Sequence, residues 1–197
     1  MFPLDVRKVA VDFFAADGHK WMLGPEGAGI FFATANSLNC LRPMNVGWNS
    51  VVGRYDFDRV ELDLRDSAAR YEGGTQNVPG VTALGASLEL LRDCGLGHQD
   101  SMVADAVLEN ASQLSEQLRS FGAVLPHSPD HWNGSEHASG IVAFDIPGVD
   151  LPSVRDHCLK RRVPLSYRGG WLRASPHAYM SESDVAQLLD ALRQVSR

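Results

Sequence analysis

A lysine within a glycine-rich connection is the residue of this sequence with the clearest chemical capacity. Lys20 follows His19, and residues 17–30 around them contain four glycines and a proline. Apolar runs of strand length lie on either side, at Val9–Phe14 and Ile30–Ala33, so the pattern predicts a short turn held by two buried strands. We expect Lys20 to be poorly solvated there, which lowers the pKa of an ammonium group and makes the amine a nucleophile toward a carbonyl carbon. The alternative is a surface lysine on a hairpin loop.

A second stretch suits an anion. Residues 70–77 read RYEGGTQN, and the Gly-Gly-Thr turn exposes backbone N–H groups and the Thr75 hydroxyl. Residues 78–80 then open an apolar helix over Val81–Leu91, and N–H donors at the start of a helix suit an anion such as phosphate. The alternative is a plain turn in which Asn77 or Thr75 caps the helix.

The third stretch, residues 170–179, reads GWLRASPHAY and contains Arg173. An arginine in a strand between apolar neighbours needs an anionic partner, and a carboxylate accepts its planar fork at two places. The alternative is an ion pair with an aspartate or glutamate of the chain itself.

Taken in this order, the three motifs resemble segments of the class V aminotransferase family. That family includes cysteine desulfurases, selenocysteine lyases and isopenicillin-N-epimerase-like enzymes, which use pyridoxal 5'-phosphate. The resemblance implies that Lys20 forms the Schiff base with the cofactor, with His19 facing the cofactor phosphate. It implies further that the enzyme is a homodimer in which Thr75 reaches the partner subunit's cofactor phosphate, and that Arg173 binds the substrate α-carboxylate. Met180 departs from the pattern, since the family commonly has Asn there.

The resemblance also implies a fold. We expect an α/β chain in which residues 1–95 are the last part of a fold-type-I large domain that binds the cofactor. Residues 96–197 are expected to form a small α+β domain that includes the connecting helix. In the family, the half that precedes this point supplies the aromatic that stacks on the cofactor ring, the aspartate that pairs with the ring nitrogen, and much of the phosphate cup. We therefore expect a truncated enzyme or one whose other half comes from another chain; the alternative is a non-catalytic C-terminal fragment or subunit that folds and dimerises but cannot hold the cofactor alone.

The motifs leave several reactions open. The resemblance fits an enzyme that acts on an amino acid as a lyase, epimerase or aminotransferase. Cysteine desulfurases carry a cysteine on a loop shortly before the arginine strand, and residues 166–171, SYRGGW, contain none. Cys158 lies within a predicted helix and is interpreted as a packed thiol, so a desulfurase is disfavoured. Arg168, in that loop, could assist Arg173. A phosphate-binding module built on residues 24–29 ranks last, because the Gly-Lys-Ser/Thr ending of a nucleotide-binding loop is missing.

Hydrophobic periodicity predicts the elements that position these residues. Residues 35–58 are interpreted as a loop with Trp48 as a core aromatic beneath it, although Gly47-Trp48 also resembles a family segment near the active site. The predicted helices are Gln99–Phe121, Leu151–Arg161 and Ser183–Val195, and the predicted strands are Phe121–Leu125, Ile141–Ile146, Val163–Tyr167 and Trp171–Ser175.

Composition excludes several classes of protein. The net charge of −6 provides no basic stripe for nucleic acid. The sequence shows no apolar run of membrane-spanning length and no signal pattern. Its three cysteines are widely separated, which is typical of a reducing, cytoplasmic environment. Three loop histidines, His127, His131 and His137, have irregular spacing, and we predict no metal site.

Overall fold

The computed structural model of the protein describes residues 2–126 and 138–195. The chain divides into two compact units, Met1–Ser101 and Met102–Arg197, called unit 1 and unit 2 below. Unit 1 contains strands β1 and β2, helix α1 and three 3₁₀ turns. Their bounds are β1 Phe13–Asp17, β2 Gly29–Ala33, α1 Val78–Asp93, and turns Leu38–Cys40, Trp48–Ser50 and Ala68–Tyr71.

Strands β1 and β2 form an antiparallel pair, in register from Phe13 opposite Ala33 to Asp17 opposite Gly29. The prediction of a strand over residues 30–33 is confirmed, but the first strand begins four residues later than predicted. The Asp5 carbonyl accepts hydrogen bonds from the N–H groups of Lys8 and Val9 at 2.9 and 3.0 Å, so the chain turns there instead of extending. Both strands are partly exposed, and the expectation of two buried strands was wrong.

Helix α1 starts three residues before the predicted position because its first turn tolerates proline. Pro79 lies in the first turn, where a backbone N–H has no helical acceptor in any case. The Asn77 side chain accepts a hydrogen bond from the Gly80 N–H at 3.1 Å. Asn77 is therefore the N-cap, one of the two caps that the sequence left open.

Unit 2 packs three helices against a three-stranded antiparallel sheet whose strand order is β3-β5-β4. The predicted strand over residues 121–125 is wrong, because the first helix continues through Phe121. Only the bridge between Val124 and Asp145 remains of it. The other predicted helices and strands of unit 2 are confirmed in type, mostly with shorter bounds. The last helix begins one residue earlier than predicted, and the strand predicted over residues 163–167 lies at Ser166–Arg168. The elements are α2 Met102–Phe121, β3 Val142–Phe144, α3 Leu151–Lys160, β4 Ser166–Arg168, β5 Trp171–Ala174 and α4 Glu182–Arg193.

The core of unit 2 lies on one face of this sheet. Leu172 and Phe144 are fully buried, and they join a cluster of apolar side chains from all three helices. Since successive side chains of a strand point to opposite faces, Trp171 and Arg173 lie on the other face of β5. That face is only partly buried.

Candidate active site

Lys20 lies in the connection between β1 and β2, and its side chain is exposed. The side chain is 61% exposed, and its ammonium group forms a hydrogen-bonded ion pair with the Asp17 carboxylate at the end of β1. This hydrogen bond, together with the charge of Lys20, lowers the pKa of Asp17. The expectation that Lys20 is poorly solvated was wrong, because the flanking strands are too exposed to shield the turn.

The backbone of this connection is held by its own hydrogen bonds. The Gly18 N–H donates to the Ala28 carbonyl at 2.9 Å, and the Gly24 N–H donates to the Gly18 carbonyl at 2.9 Å. A Cβ at Gly18 would lie 2.6 Å from the Ala28 oxygen, so the close approach of these two backbone segments requires glycine at position 18. Leu23 adopts the left-handed conformation, with φ of 56°, while its N–H donates to the Lys20 carbonyl. Backbone contacts thus fix the Cα position of Lys20, although its side chain is in solvent.

Helix α1 and its cap also hold the β1–β2 connection, through side-chain hydrogen bonds and packing. The Asn77 Nδ2 donates to the Gly27 carbonyl at 3.1 Å while its Oδ1 caps the helix, and Ser87 Oγ donates to the Leu23 carbonyl at 2.9 Å. The buried Leu84 side chain lies against Gly24, where an added Cβ would be 2.6 Å from Leu84 Cδ1. Sequence reasoning missed these links. Two motifs separated by some fifty residues are held together by Asn77, whose capping role alone was foreseen.

A buried arginine anchors the second motif. Arg70 is 6% exposed; its Nε donates to the Arg65 carbonyl at 2.7 Å and its Nη1 to Asn39 Oδ1 at 2.9 Å. The next residue, Tyr71, places its hydroxyl 3.0 Å from the Leu38 carbonyl. Thr75 follows on the exposed turn before α1. The anchored arginine and tyrosine hold the glycine turn, whereas the Thr75 hydroxyl is accessible to a ligand.

Trp48 lies beside this glycine turn and is not a core residue. Its side chain is 44% exposed, and a Cβ added at Gly74 would lie 3.6 Å from its Nε1. The interpretation as a core aromatic was wrong. Gly47 packs against the Gly73 carbonyl so closely that a Cβ there would overlap the oxygen. The segment that contains Trp48 is therefore fixed to the second motif by backbone contact.

Arg173 lies in the central strand of unit 2, opposite Ala143 on one side and Ser166 on the other. It is partly buried. No acidic residue in the described part of unit 2 forms an ion pair with it, whereas Arg155 and Arg161 pair with Asp156 and Asp190. The internal ion pair that the sequence left open is thus not formed within the described part of unit 2.

Cys158 is fully buried in α3, and this burial raises the pKa of its thiol. The prediction of a packed thiol is confirmed. Within residues 2–126 and 138–195, no three His, Cys, Asp or Glu side chains gather as metal ligands. His127, His131 and His137 lie outside the described residues. None of the helices in the described ranges is long and apolar enough to span a bilayer.

Comparison with known proteins places the sequence in a family. The sequence model of the family described as aminotransferase class-V matches residues 1–188. The chain belongs to this family. It is 25% identical to a probable cysteine desulfurase of Methanothermobacter thermautotrophicus, over 98% of this chain and 50% of that protein. It is 30% identical to the isopenicillin N epimerase of Amycolatopsis lactamdurans, over 98% of this chain and 49% of that protein.

Solved structures confirm the predicted fold class, α/β and part of a fold-type-I transferase. The apo cysteine desulfurase of Thermococcus onnurineus superposes with a TM-score of 0.79 at 22% identity, over 97% of this chain and 48% of that one. At this identity the likeness concerns the fold alone. The chain spans about half the length of the curated relatives that it matches.

The class-V family depends on pyridoxal phosphate, and the residues of unit 1 fit that group chemically. An aldehyde needs a primary amine, and Lys20 presents one on a fixed backbone. A phosphate needs N–H, hydroxyl or imidazole donors, and both His19 and Thr75 are exposed.

Proposed function

We propose that this chain is part of a pyridoxal-phosphate-dependent enzyme of the aminotransferase class-V family that acts on an amino acid. The observation that carries the proposal is the placement of Lys20. Its amine projects into solvent from a turn whose backbone is hydrogen-bonded internally and to helix α1. A structural lysine would not require such a turn, whereas an amine that must meet a cofactor carbon gains from a fixed Cα.

The chain's own residues have separate tasks in this proposal. Lys20 would hold the cofactor once its ammonium group has left Asp17 and lost a proton, and its free amine would move a proton at the substrate α-carbon. His19 and Thr75 contact cofactor phosphates, Thr75 that of the partner subunit. Arg173 binds the substrate α-carboxylate through both arms of its guanidinium fork. The bound cofactor supplies an electron sink for the negative charge that develops at the α-carbon.

We infer a lyase, epimerase or aminotransferase reaction and disfavour cysteine desulfuration, although several relatives are named as desulfurases. Persulfide chemistry requires an accessible thiolate. The β4–β5 hairpin, in the place where desulfurases carry their cysteine, contains none. Cys158 is the one cysteine of unit 2, and it is buried with a raised pKa. Neither position offers the nucleophile.

We propose further that the enzyme is a cytoplasmic homodimer without a metal. The accessible Thr75 and the many apolar side chains exposed on unit 1 support an interface at that unit. The second candidate function is a non-catalytic subunit that folds and dimerises without holding the cofactor. It is favoured by the exposure of the Lys20 side chain, whose ammonium group is paired with Asp17.

Reduction with borohydride in the presence of pyridoxal phosphate, followed by peptide mapping, tests the proposal. The chain has three lysines, Lys8, Lys20 and Lys160, and all are exposed, so the other two report non-specific labelling in the same sample. We expect the label on Lys20 to exceed that on the others and to disappear in Lys20→Arg. Equal labelling of the three lysines would contradict a cofactor site in this chain and favour the non-catalytic subunit.

A further inference from the structure

The face of the unit 2 sheet opposite the core carries two arginines in neighbouring positions. Arg168 lies opposite Trp171, and Ser166 lies opposite Arg173. Directly opposed residues share a face of the sheet, so Arg168 is on the same face as Trp171 and therefore also as Arg173. The two arginines are diagonal neighbours across β4 and β5. Such positions are about 7–8 Å apart, within reach of long side chains.

A tight turn fixes this arrangement. Gly169 and Gly170, the two residues between the strands, have φ of 58° and 85°. Two-residue hairpin turns with both φ values positive match the twist of the flanking strands and require glycine or a similar residue at each position. A hairpin of this length has one register, so the placement of Arg168 relative to Arg173 does not depend on a mobile loop.

In the described part of unit 2, no acidic side chain forms an ion pair with Arg168 or Arg173. Asp145 is the acidic residue closest by register, since it follows Phe144, which lies opposite Leu172 on the neighbouring strand. It forms no ion pair with either arginine. Two adjacent guanidinium groups without a carboxylate repel each other, and a dianion relieves that repulsion.

We propose that Arg168 is a specificity-determining residue that binds a second anionic group of the substrate, so that the enzyme acts on dicarboxylic amino acids. The inference rests on the proposed function, in which Arg173 binds the α-carboxylate. The carboxylate at the end of the substrate side chain then meets Arg168, which is exposed and whose fork donates two hydrogen bonds to it. An amino acid with an apolar side chain makes no such contact with Arg168.

NMR titration of the full chain, read on the arginine Nε–H signals, tests this inference with glutarate as the dicarboxylate probe and butyrate as the monocarboxylate probe. We expect glutarate to bind about tenfold more tightly than butyrate, since one charge-assisted interaction is added. Arg168→Gln should reduce glutarate binding to the butyrate level and leave butyrate binding unchanged. Arg193→Gln, which removes an exposed charge from the last turn of α4, should change neither.

The outcomes separate the two hypotheses. If Arg168→Gln retains the preference for glutarate, or if Arg193→Gln removes it equally, the role of Arg168 is overturned while that of Arg173 stands. If Arg173→Gln leaves the binding of both probes unchanged, the carboxylate role of Arg173 fails, and the inference about Arg168 falls with it. If Arg168→Gln does not fold, Arg168→Lys is tested in its place. It keeps the charge without the fork, and should retain only part of the preference.

Discussion

The ion pair between Asp17 and Lys20 should be detectable by titrating Asp17 in the unchanged protein and in a variant that lacks the lysine. Lys20 lowers the pKa of Asp17 through its hydrogen bond and charge, and the Arg7 side chain likewise lowers the pKa of Asp5 to about 2. We expect Lys20→Gln to raise the pKa of Asp17 toward the ordinary aspartate range and to leave Asp5 unchanged. Carboxyl-detected NMR from acid to neutral pH measures both. An unchanged Asp17 would mean that the pair does not persist in solution.

The sign of the pH effect follows from the direction of that shift. Because the folded-state pKa of Asp17 is lowered, its contribution to stability is present above the ordinary aspartate pKa and is lost as the pH falls through the lowered value. Both side chains are more than half exposed, so solvent screens the contribution.

Two glycines provide a matched test of backbone packing. A Cβ at Gly47 would overlap the Gly73 carbonyl oxygen, whereas a Cβ at Gly85, in the exposed part of α1, meets nothing within 4 Å. We expect Gly47→Ala to lower the free energy of unfolding by about 1–3 kcal/mol, as overpacking does. Gly85→Ala should raise it by up to about 1 kcal/mol, since alanine favours helix. Denaturant unfolding measures both, and equal effects would show that the close approach at Gly47 is not maintained.

At the level of single residues, types and spacing predicted which groups could do chemistry but not how exposed they are. Lys20, Thr75 and Arg173 were identified by motif, and their surroundings were inferred from neighbours in sequence. Exposure depends on long-range packing, which motifs do not report. Trp48 was assigned to the core and lies at the surface, and the buried Arg70 was not recognised as an anchor.

Among the secondary-structure elements, helix α4 offers the clearest test of local stabilisation. Ser181 Oγ accepts from the Asp184 N–H, and the Asp184 carboxylate accepts from the Ser181 N–H, which forms a reciprocal cap. We expect Ser181→Ala to lower the free energy of unfolding by about 1 kcal/mol. Chemical denaturation at neutral pH measures this loss. Ser112→Ala is the comparison, because Ser112 is exposed in the interior of helix α2 and lies outside any helix cap.

The same cap predicts an acid dependence. Hydrogen bonds from the Ser181 hydroxyl and N–H lower the pKa of Asp184. Its stabilising effect is therefore present above the ordinary aspartate pKa and is lost as the pH falls through the lowered value. Ser181→Ala should lose less stability on acidification than the unchanged protein does. An identical loss in both proteins would contradict the assignment of this cap.

Element type was predictable wherever local signals agreed. Apolar periodicity predicted α3 and α4, and the structure adds the side chains that cap their starts, Asp150 and Ser181. Prediction failed where a side chain binds a backbone N–H and favours a turn next to a predicted strand. The apolar run at residues 9–14 suggested a strand, but the Asp5 carboxylate binds the N–H and the side chain of Arg7 and favours a turn just before it.

For the molecule as a whole, the two units differ in how much apolar surface they bury. A cluster of buried side chains from every helix and from two strands fills the core of unit 2. In the described part of unit 1, the large apolar residues that are less than a tenth exposed are Leu38, Leu84 and Leu91. The family resemblance foresaw a chain that covers about half of its relatives. The sequence alone could not predict which apolar side chains of unit 1 are exposed, since burial depends on how the whole chain packs.

Residues 44–62 of unit 1 predict association in solution. Met44, Phe57 and Val60 are 91, 75 and 97% exposed, and five further large hydrophobic residues of this segment are exposed as well. The burial of exposed apolar side chains between two copies is favourable in proportion to the area removed from water. We expect the chain to form dimers as its concentration rises, and the double variant Phe57→Ser, Val60→Ser to shift that equilibrium toward monomer.

Sedimentation equilibrium at several loading concentrations measures this association. Leu159→Ser is the matched control, because Leu159 is 49% exposed on α3 of unit 2 and its replacement removes a similar kind of side chain from a different surface. If the control weakens association as much as the double variant, the interface does not lie on residues 44–62. If the unchanged chain stays monomeric throughout, the homodimer proposal fails for this chain, and with it the path by which Thr75 would reach a partner's cofactor.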